Sequence, residues 1–228
     1  MDITYTVNRS RKRRKTISLQ IRNEAEIVIS APYYTPAEEI NRFVEEKQNW
    51  INKVIQKNKE DSLKIRVKEY KTGEHFLYLG QSYPLEVFFE PFEHAGVVFW
   101  NNRFYLNAQG NKDSKKHYFV SWYKKKADDF IRQRVDFFGR MLKLQPESIK
   151  ITSAQSRWGS CSGDSHLAFS FRLIMAPPDI IDYVIVHELT HIKEKNHAPR
   201  FWQRVAEVIP AYKKHRRWLK DNHQIFNL

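Results

Sequence analysis

In TISLQI (16–21) apolar and polar residues alternate, so that Ile17, Leu19 and Ile21 share one side, the period of a half-buried strand. Asn23 and Glu24 suit a turn, and EIVIS (26–30) reads as the returning strand. The period then lengthens. Ile40, Phe43, Val44, Ile51, Val54 and Ile55 recur at helical spacing, with Trp50 on the border of the stripe. Thr35-Pro36-Ala37-Glu38 opens that helix: Thr35 can cap it, Pro36 suits its first position, and Glu38 can close a capping box. The charged stretch from Lys57 to Lys71 ends the helix or links it onward. Within 75–107, HFLYL, LEVFF, VVFW and RFYL are short, aromatic and β-rich, punctuated by Gly80, Pro84, Pro91 and the Asn101-Asn102 pair.

From Asp113 the character changes. Residues 114–142 carry a helical stripe of Phe119, Trp122, Tyr123, Ala127, Phe130, Ile131 and Phe138. SIKITSA (148–154) and HLAFSFRLI (166–174) read as strands flanking the loop SRWGSCSGDS. Pro177-Pro178-Asp179 opens a further helix, and two short ones follow at about 199–208 and 211–222, separated by Pro210. The pattern predicts an α+β chain. Residues 1–110 form a β-rich region with one helix, and 111–228 form a second region, the two being separate or one continuous domain. No internal repeat interrupts this order.

The predicted helix after Pro178 carries VIVHELTHIKEKNHAPRFW (184–202), with three histidines and a glutamate in a short span. His187 and His191, four apart, share a helix face and can converge on one ion. Glu188 follows the first histidine, where it can accept a proton from a water that the ion activates. Ile181, Val184, Ile185, Leu189 and Ile192 surround these groups with apolar residues, a costly setting for ionisable side chains without a metal or specific partners. A catalytic zinc needs a third protein ligand, and His197 is the candidate. On a continuous helix His197 would point roughly 120° away from the other two. The helix must therefore break before it, and Asn196, tolerant of the left-handed conformation, is the expected break. The competing reading of His197 is an exposed loop histidine. The other histidines lack such spacing; His166, His215 and His223 could approach the site only through the fold.

Gly159-Ser160-Cys161-Ser162-Gly163 looks like a nucleophile elbow with cysteine at its centre, but a strand and not a helix follows it. A tight loop between strands, with both glycines giving the backbone freedom, is the better reading.

Composition narrows the classes. The chain has 228 residues, 41% of them hydrophobic, enough for a substantial core and too many for a disordered chain. Cys161 is the single cysteine, so no internal disulfide forms. With no apolar leader at the N-terminus and no run of about 18 apolar residues, a cytoplasmic, non-membrane protein is expected. The net charge of +13 gathers at Arg9–Lys15, Lys124–Lys126 and Lys213–Arg217. That is compatible with a solvated surface or with an anionic partner such as nucleic acid, for which Trp122-Tyr123 and Trp218 are nearby aromatics.

RWGSCS (157–162), RLIMAP (172–177), IDYVIVHELTH (181–191) and NHAPRFW (196–202), in this order, resemble the YgjP-like metallopeptidase family, related to SprT-like proteins within the zincins. RKTISLQI and GEHFLYLGQSYPL (73–85) extend the likeness over nearly the whole chain. The resemblance implies a zinc site of His187, His191 and His197, with Glu188 as general base. It implies a zincin-like core with the motif helix beneath a short sheet, and the 166–174 strand as the edge that would bind extended substrate. Ala198 stands where relatives often carry a helix-capping serine, and Glu194 stands where metzincins carry glycine. The expected function is a zinc-dependent hydrolase acting on peptide or protein. The alternatives are a metal-dependent nucleotide phosphohydrolase and a nucleic-acid-associated protease or binding module. Tyr212, His215 and Arg216 are candidate donors to the oxyanion.

Overall fold

The computed structural model describes residues 4–22, 26–64, 68–91, 94–222 and 228. The turn expected at Asn23-Glu24, and His223, lie outside them. The fold is α+β, with small sheets and five α-helices among the described residues. The chain divides into two compact units, Met1–Arg66 and Val67–Leu228.

The first unit holds β1 (Tyr5–Ser10), β2 (Ser18–Arg22), β3 (Glu26–Pro32) and helix α1 (Ala37–Lys64). Its sheet runs β1-β3-β2, with β1 parallel and β2 antiparallel to the central β3. Ile27, Ile29 and Ala31 share its core with Ile40, Val44 and Ile51 of α1. Every second residue of a strand thus meets the apolar stripe of a helix. Trp50 stays half exposed on the border of that stripe.

The second unit begins with β4 (His75–Tyr78), β5 (Gln81–Phe88), β6 (Gly96–Trp100) and β7 (Arg103–Asn107), in sheet order β4-β5-β7-β6. Helix α2 (Lys112–Leu142) packs on them. It is capped by Asn111, whose side chain accepts from the Ser114 N–H, and stopped by Lys143 in the left-handed conformation. Phe119, Tyr123, Ala127, Ile131 and Val135 recur every four residues along its buried side. Phe119 stacks on Phe76 of β4 with centroids 4.2 Å apart. The strands of 75–107 therefore share a core with α2, whereas the sequence pattern grouped them with the first 66 residues. The change of composition at Asp113 marks the start of a helix inside one core.

β8 (Ser148–Thr152), β9 (Gly159–Cys161) and β10 (His166–Ser170) form the sheet beside the motif helix, in order β8-β10-β9. Two expectations change here. The strand predicted over 166–174 ends at Ser170, and Phe171–Met175 is a 3-10 helix whose first turn is capped by the Ser170 hydroxyl. And β10 is the central strand, paired on both sides, so it offers no free edge. The edges are β8 and β9, and β9, from within the segment read as a loop, is the one on the side of Glu188.

Helix α3 (Pro178–Thr190) carries the histidine motif, followed by α4 (Pro199–Val208) and α5 (Tyr212–Asp221). Its position is set from two directions. The two-residue turn at Leu79-Gly80, both at positive φ, is of the hairpin-favouring primed type. Its N–H groups donate to Ile174 O (2.9 Å) and Met175 O (3.0 Å). A β-carbon at Gly80 would lie 2.8 Å from Pro177 Cα, so the tip seats directly on the entry to α3. From the side, Arg134 of α2 grips Asp182 with two bonds of 2.7 and 2.6 Å. No helix among the described residues is long and apolar enough to cross a membrane.

Phe119→Ala removes the ring that meets Tyr70, Phe76 and Phe104. It should destabilise the chain by about 3–5 kcal/mol in urea unfolding; a loss below about 1 kcal/mol would contradict this packing.

Candidate metal centre

α3 ends at Thr190, and the break comes at His191 itself, with Ile192, Lys193 and Glu194 N–H groups returning to Leu189 and Thr190. Asn196, expected as a left-handed break, has no positive φ. Its side-chain oxygen instead accepts from the N–H of Ala198 (3.1 Å), the N-cap of α4, whose own side chain makes no capping bond. The local reason is that the first orphan N–H groups of a helix take any oxygen within reach.

This break brings the three histidines together. The Nε2 of His197 lies 3.0 Å from that of His187 and 3.1 Å from that of His191. His191 Nδ1–H donates to Glu194 O (2.9 Å), which turns its Nε2 lone pair inward. The Phe201 ring, fully buried, lies 4.8, 4.5 and 4.7 Å from the three imidazoles in chain order and forms their floor. Trp202 stacks on His197, and its indole N–H donates to His197 O (3.1 Å). Neither aromatic was singled out by sequence, although both stand in the NHAPRFW segment.

Lone pairs so close repel, and either a shared proton or a cation among them relieves this. At zinc–nitrogen bonds of about 2.0–2.1 Å, tetrahedral donors would sit about 3.3 Å apart; the two separations to His197 are near this, and all three donors lie within 4.8 Å of one another. His187 is pushed down to about 3, by burial first and then by the charges of His191, His197 and Arg216. His197 is lowered for the same reasons, burial leading. Neutral imidazoles are the form that binds a metal ion.

Glu188 is 7% exposed. Burial raises its carboxyl to about 7, against a pull from Arg157. Its wall is Gly159: a β-carbon there would meet Glu188 Cγ at 2.6 Å and Oε1 at 2.8 Å. Gly159 is therefore small to make room. It has no positive φ, unlike the expectation of backbone freedom, and Ser165 takes the left-handed position in the turn between β9 and β10. The glycine–glutamate contact joins two distant motifs and could not be read from spacing.

Glu194 is a second residue that sequence missed. Its carbonyl holds His191, while its carboxylate takes the Nε of Arg200 and of Arg204, each at 3.0 Å. One residue so ties the turn after α3 to α4.

The three histidines and Glu188 line an open cleft of about 610 Å³, together with β9, its turn and Lys195. Cys161 lies in it as a free thiol, raised by burial, which is the reactive nucleophile's opposite. Of the three oxyanion candidates, Arg216 has charge that reaches His187 and His197. Tyr212 stacks on Trp202, and His215 is buried near Asp179. His166 is bonded to Ser148 on the sheet.

A family profile described as YgjP-like, metallopeptidase domain, matches residues 15–222. The chain belongs to the YgjP-like metallopeptidase family. This places it among metallohydrolases of peptidase type. A search of curated proteins finds no match. The metallopeptidase zymogen of Pyrococcus abyssi abylysin, a solved structure, is similar over 40% of this chain and 93% of its own, at 18% identity and a TM-score of 0.37.

Two outcomes test this geometry in the metal-free protein. Gly159→Ala should cost about 1–3 kcal/mol through overpacking. In a Glu188→Ala background that cost should largely vanish, because the clashing atoms are all Glu188's; an equal cost in both backgrounds would refute the contact. Native Glu188 holds its proton up to about pH 7, whereas the unfolded carboxyl releases it near 4.5. Stability should therefore fall as pH rises through that window. Relative to wild type, Glu188→Gln should gain up to about 3 kcal/mol by pH 8 and nothing below pH 4, read by denaturant melts across pH.

Proposed function

We propose that the chain is a zinc-dependent peptidase with His187, His191 and His197 as metal ligands and Glu188 as general base. The observation that carries this reading is the meeting of three imidazole Nε2 atoms beside a buried carboxylate at the wall of an open cleft. Three imidazoles without a carboxylate or thiolate suit zinc better than magnesium or calcium. When bound there, such an ion supplies Lewis acidity to a water and to a carbonyl oxygen.

Glu188 takes the proton of the attacking water and hands it to the departing amine nitrogen. Gly159 packs against Glu188 and limits where the carboxylate can lie. The neighbouring edge strand binds substrate. On either side of β9, Ser162 N–H donates to His166 O and Trp158 O accepts from Ser170 N–H. Alternation therefore turns the N–H and C=O groups of Gly159 and Cys161 away from β10. An extended peptide can add there as a further strand, with its scissile bond carried past Glu188. The arrangement of α3 against the sheet β8-β10-β9 is consistent with a zincin-like core.

Glu188→Gln should keep zinc at wild-type stoichiometry by elemental analysis and lose peptide cleavage by about 10²–10⁴-fold. His197→Ala should lose zinc at equal protein concentration. Cleavage that survives in Glu188→Gln would remove the assigned base. Nucleoside triphosphates belong in the same assay: phosphate release abolished by Glu188→Gln would reassign the site to nucleotide hydrolysis.

A further inference from the structure

In the first unit, six of the seven residues from Arg9 to Lys15 are cationic. β1 runs parallel to β3, with Ser10 opposite Pro32. The two strands therefore leave the sheet at the same end, and the basic segment emerges beside Tyr33 and Tyr34. Two of the cations build this surface. Arg9 donates to Tyr33 O (2.9 Å) and Thr35 O (2.6 Å), and Arg13 donates to Thr16 O and Ser18 Oγ (both 3.0 Å). Arg11, Lys12, Arg14 and Lys15 are exposed, and among the described residues no carboxylate forms an ion pair with them. Tyr34 is 85% and Tyr33 43% exposed, edge to face at 5.1 Å. The Arg11 guanidinium lies 4.9 Å over the Tyr33 ring.

We propose that this end of the first unit, Arg11–Lys15 with Tyr33 and Tyr34, is a docking surface for single-stranded nucleic acid. Unpaired cations follow a phosphate backbone, and exposed aromatic rings receive unstacked bases. Duplex recognition is disfavoured, because a turn and not a groove-filling helix presents the charges. A lipid surface is disfavoured too, because the exposed apolar groups at this end are tyrosines, with no tryptophan, phenylalanine or leucine to bury in acyl chains. The surface is also distinct from the aromatics flagged by sequence: Tyr123 is fully buried and Trp122 packs against the core of the second unit. The proposal is independent of the peptidase reading, since it uses none of the residues of the histidine cleft.

The test is fluorescence anisotropy of a labelled 20-nucleotide oligothymidylate with the full chain, at about 50 and 200 mM salt. Binding that weakens steeply with salt is expected. The triple variant Arg11→Glu, Lys12→Glu, Arg14→Glu should weaken it more than tenfold and flatten the salt dependence. Tyr34→Ala should weaken it about tenfold at unchanged salt dependence, the mark of lost stacking. Lys124→Glu with Lys125→Glu, a charge change of the same kind elsewhere, should leave most of the affinity. Circular dichroism melts check that each variant is folded. No binding at low salt would overturn the proposal. So would binding that both patch variants retain, or a blunt duplex competing as well as the single strand. Anionic phosphatidylserine vesicles bound more tightly than the oligonucleotide, with the same variant losses, would reassign the surface to membranes.

Discussion

Three imidazole nitrogens can meet at one point only if the chain turns sharply after the second of them. Much of the second unit follows from that constraint. α3 must stop at Thr190, so the carbonyls of its last turn must find donors in the next three residues, and they do. The chain must then restart as α4, close enough for Phe201 to lie under all three rings. Glu194 stands at the bend and serves both needs, with its carbonyl on His191 and its carboxylate on two arginines of α4. A glycine there, as in metzincins, could keep the first contact and not the second.

The site also works against the stability of the fold. Glu188 is buried and His187 half-buried among apolar side chains, and the buried His187 Nδ1 has no hydrogen-bond partner among the described residues. Each costs free energy that the surrounding core must offset. The same desolvation raises the Glu188 carboxyl to about 7 and keeps the His187 imidazole neutral in the metal-free protein. Cys161, in the same cleft, is kept as a thiol for the same reason.

What could be read from sequence was what depends on local geometry. Residues four apart on a helix share a face wherever the helix goes, so His187 and His191 were legible. The need for a break before His197 followed from the same angle. Its location did not, because Asn196 is used for its side chain and not for its backbone. The strand over 166–174 was overextended for a related reason. Leu167, Phe169, Phe171 and Leu173 alternate as a strand would, but Ile174 and Met175 are buried with them, and the burial of successive residues belongs to the 3-10 turn. Whether β10 was central or at an edge was beyond any local pattern, since it depends on a partner, β8, that comes earlier in the chain. The role of Gly159 was hidden for the same reason: its justification is the side chain of Glu188.

Charge shows the same division between local and distant causes. A net +13 is one number, yet the cations behind it do different work. Arg134, Arg200 and Arg204 are bound to carboxylates, and Lys195 to the carbonyl of Gly163. In the two C-terminal clusters, Lys126 lies over Trp122, Lys213 over Tyr212 and Arg216 over Trp202. These contacts consume the cation on the chain's own aromatics. In the first unit Arg11 also leans on a ring, but its neighbours Lys12, Arg14 and Lys15 have no such partner, and a second ring, Tyr34, stands open beside them. Uncompensated like charges on adjacent residues repel one another, and nothing in the local fold requires them. An anion from outside the chain would relieve that repulsion; Lys124, Lys125, Lys214 and Arg217 are exposed too, so what sets the first-unit cluster apart is the open Tyr34 ring beside its cations.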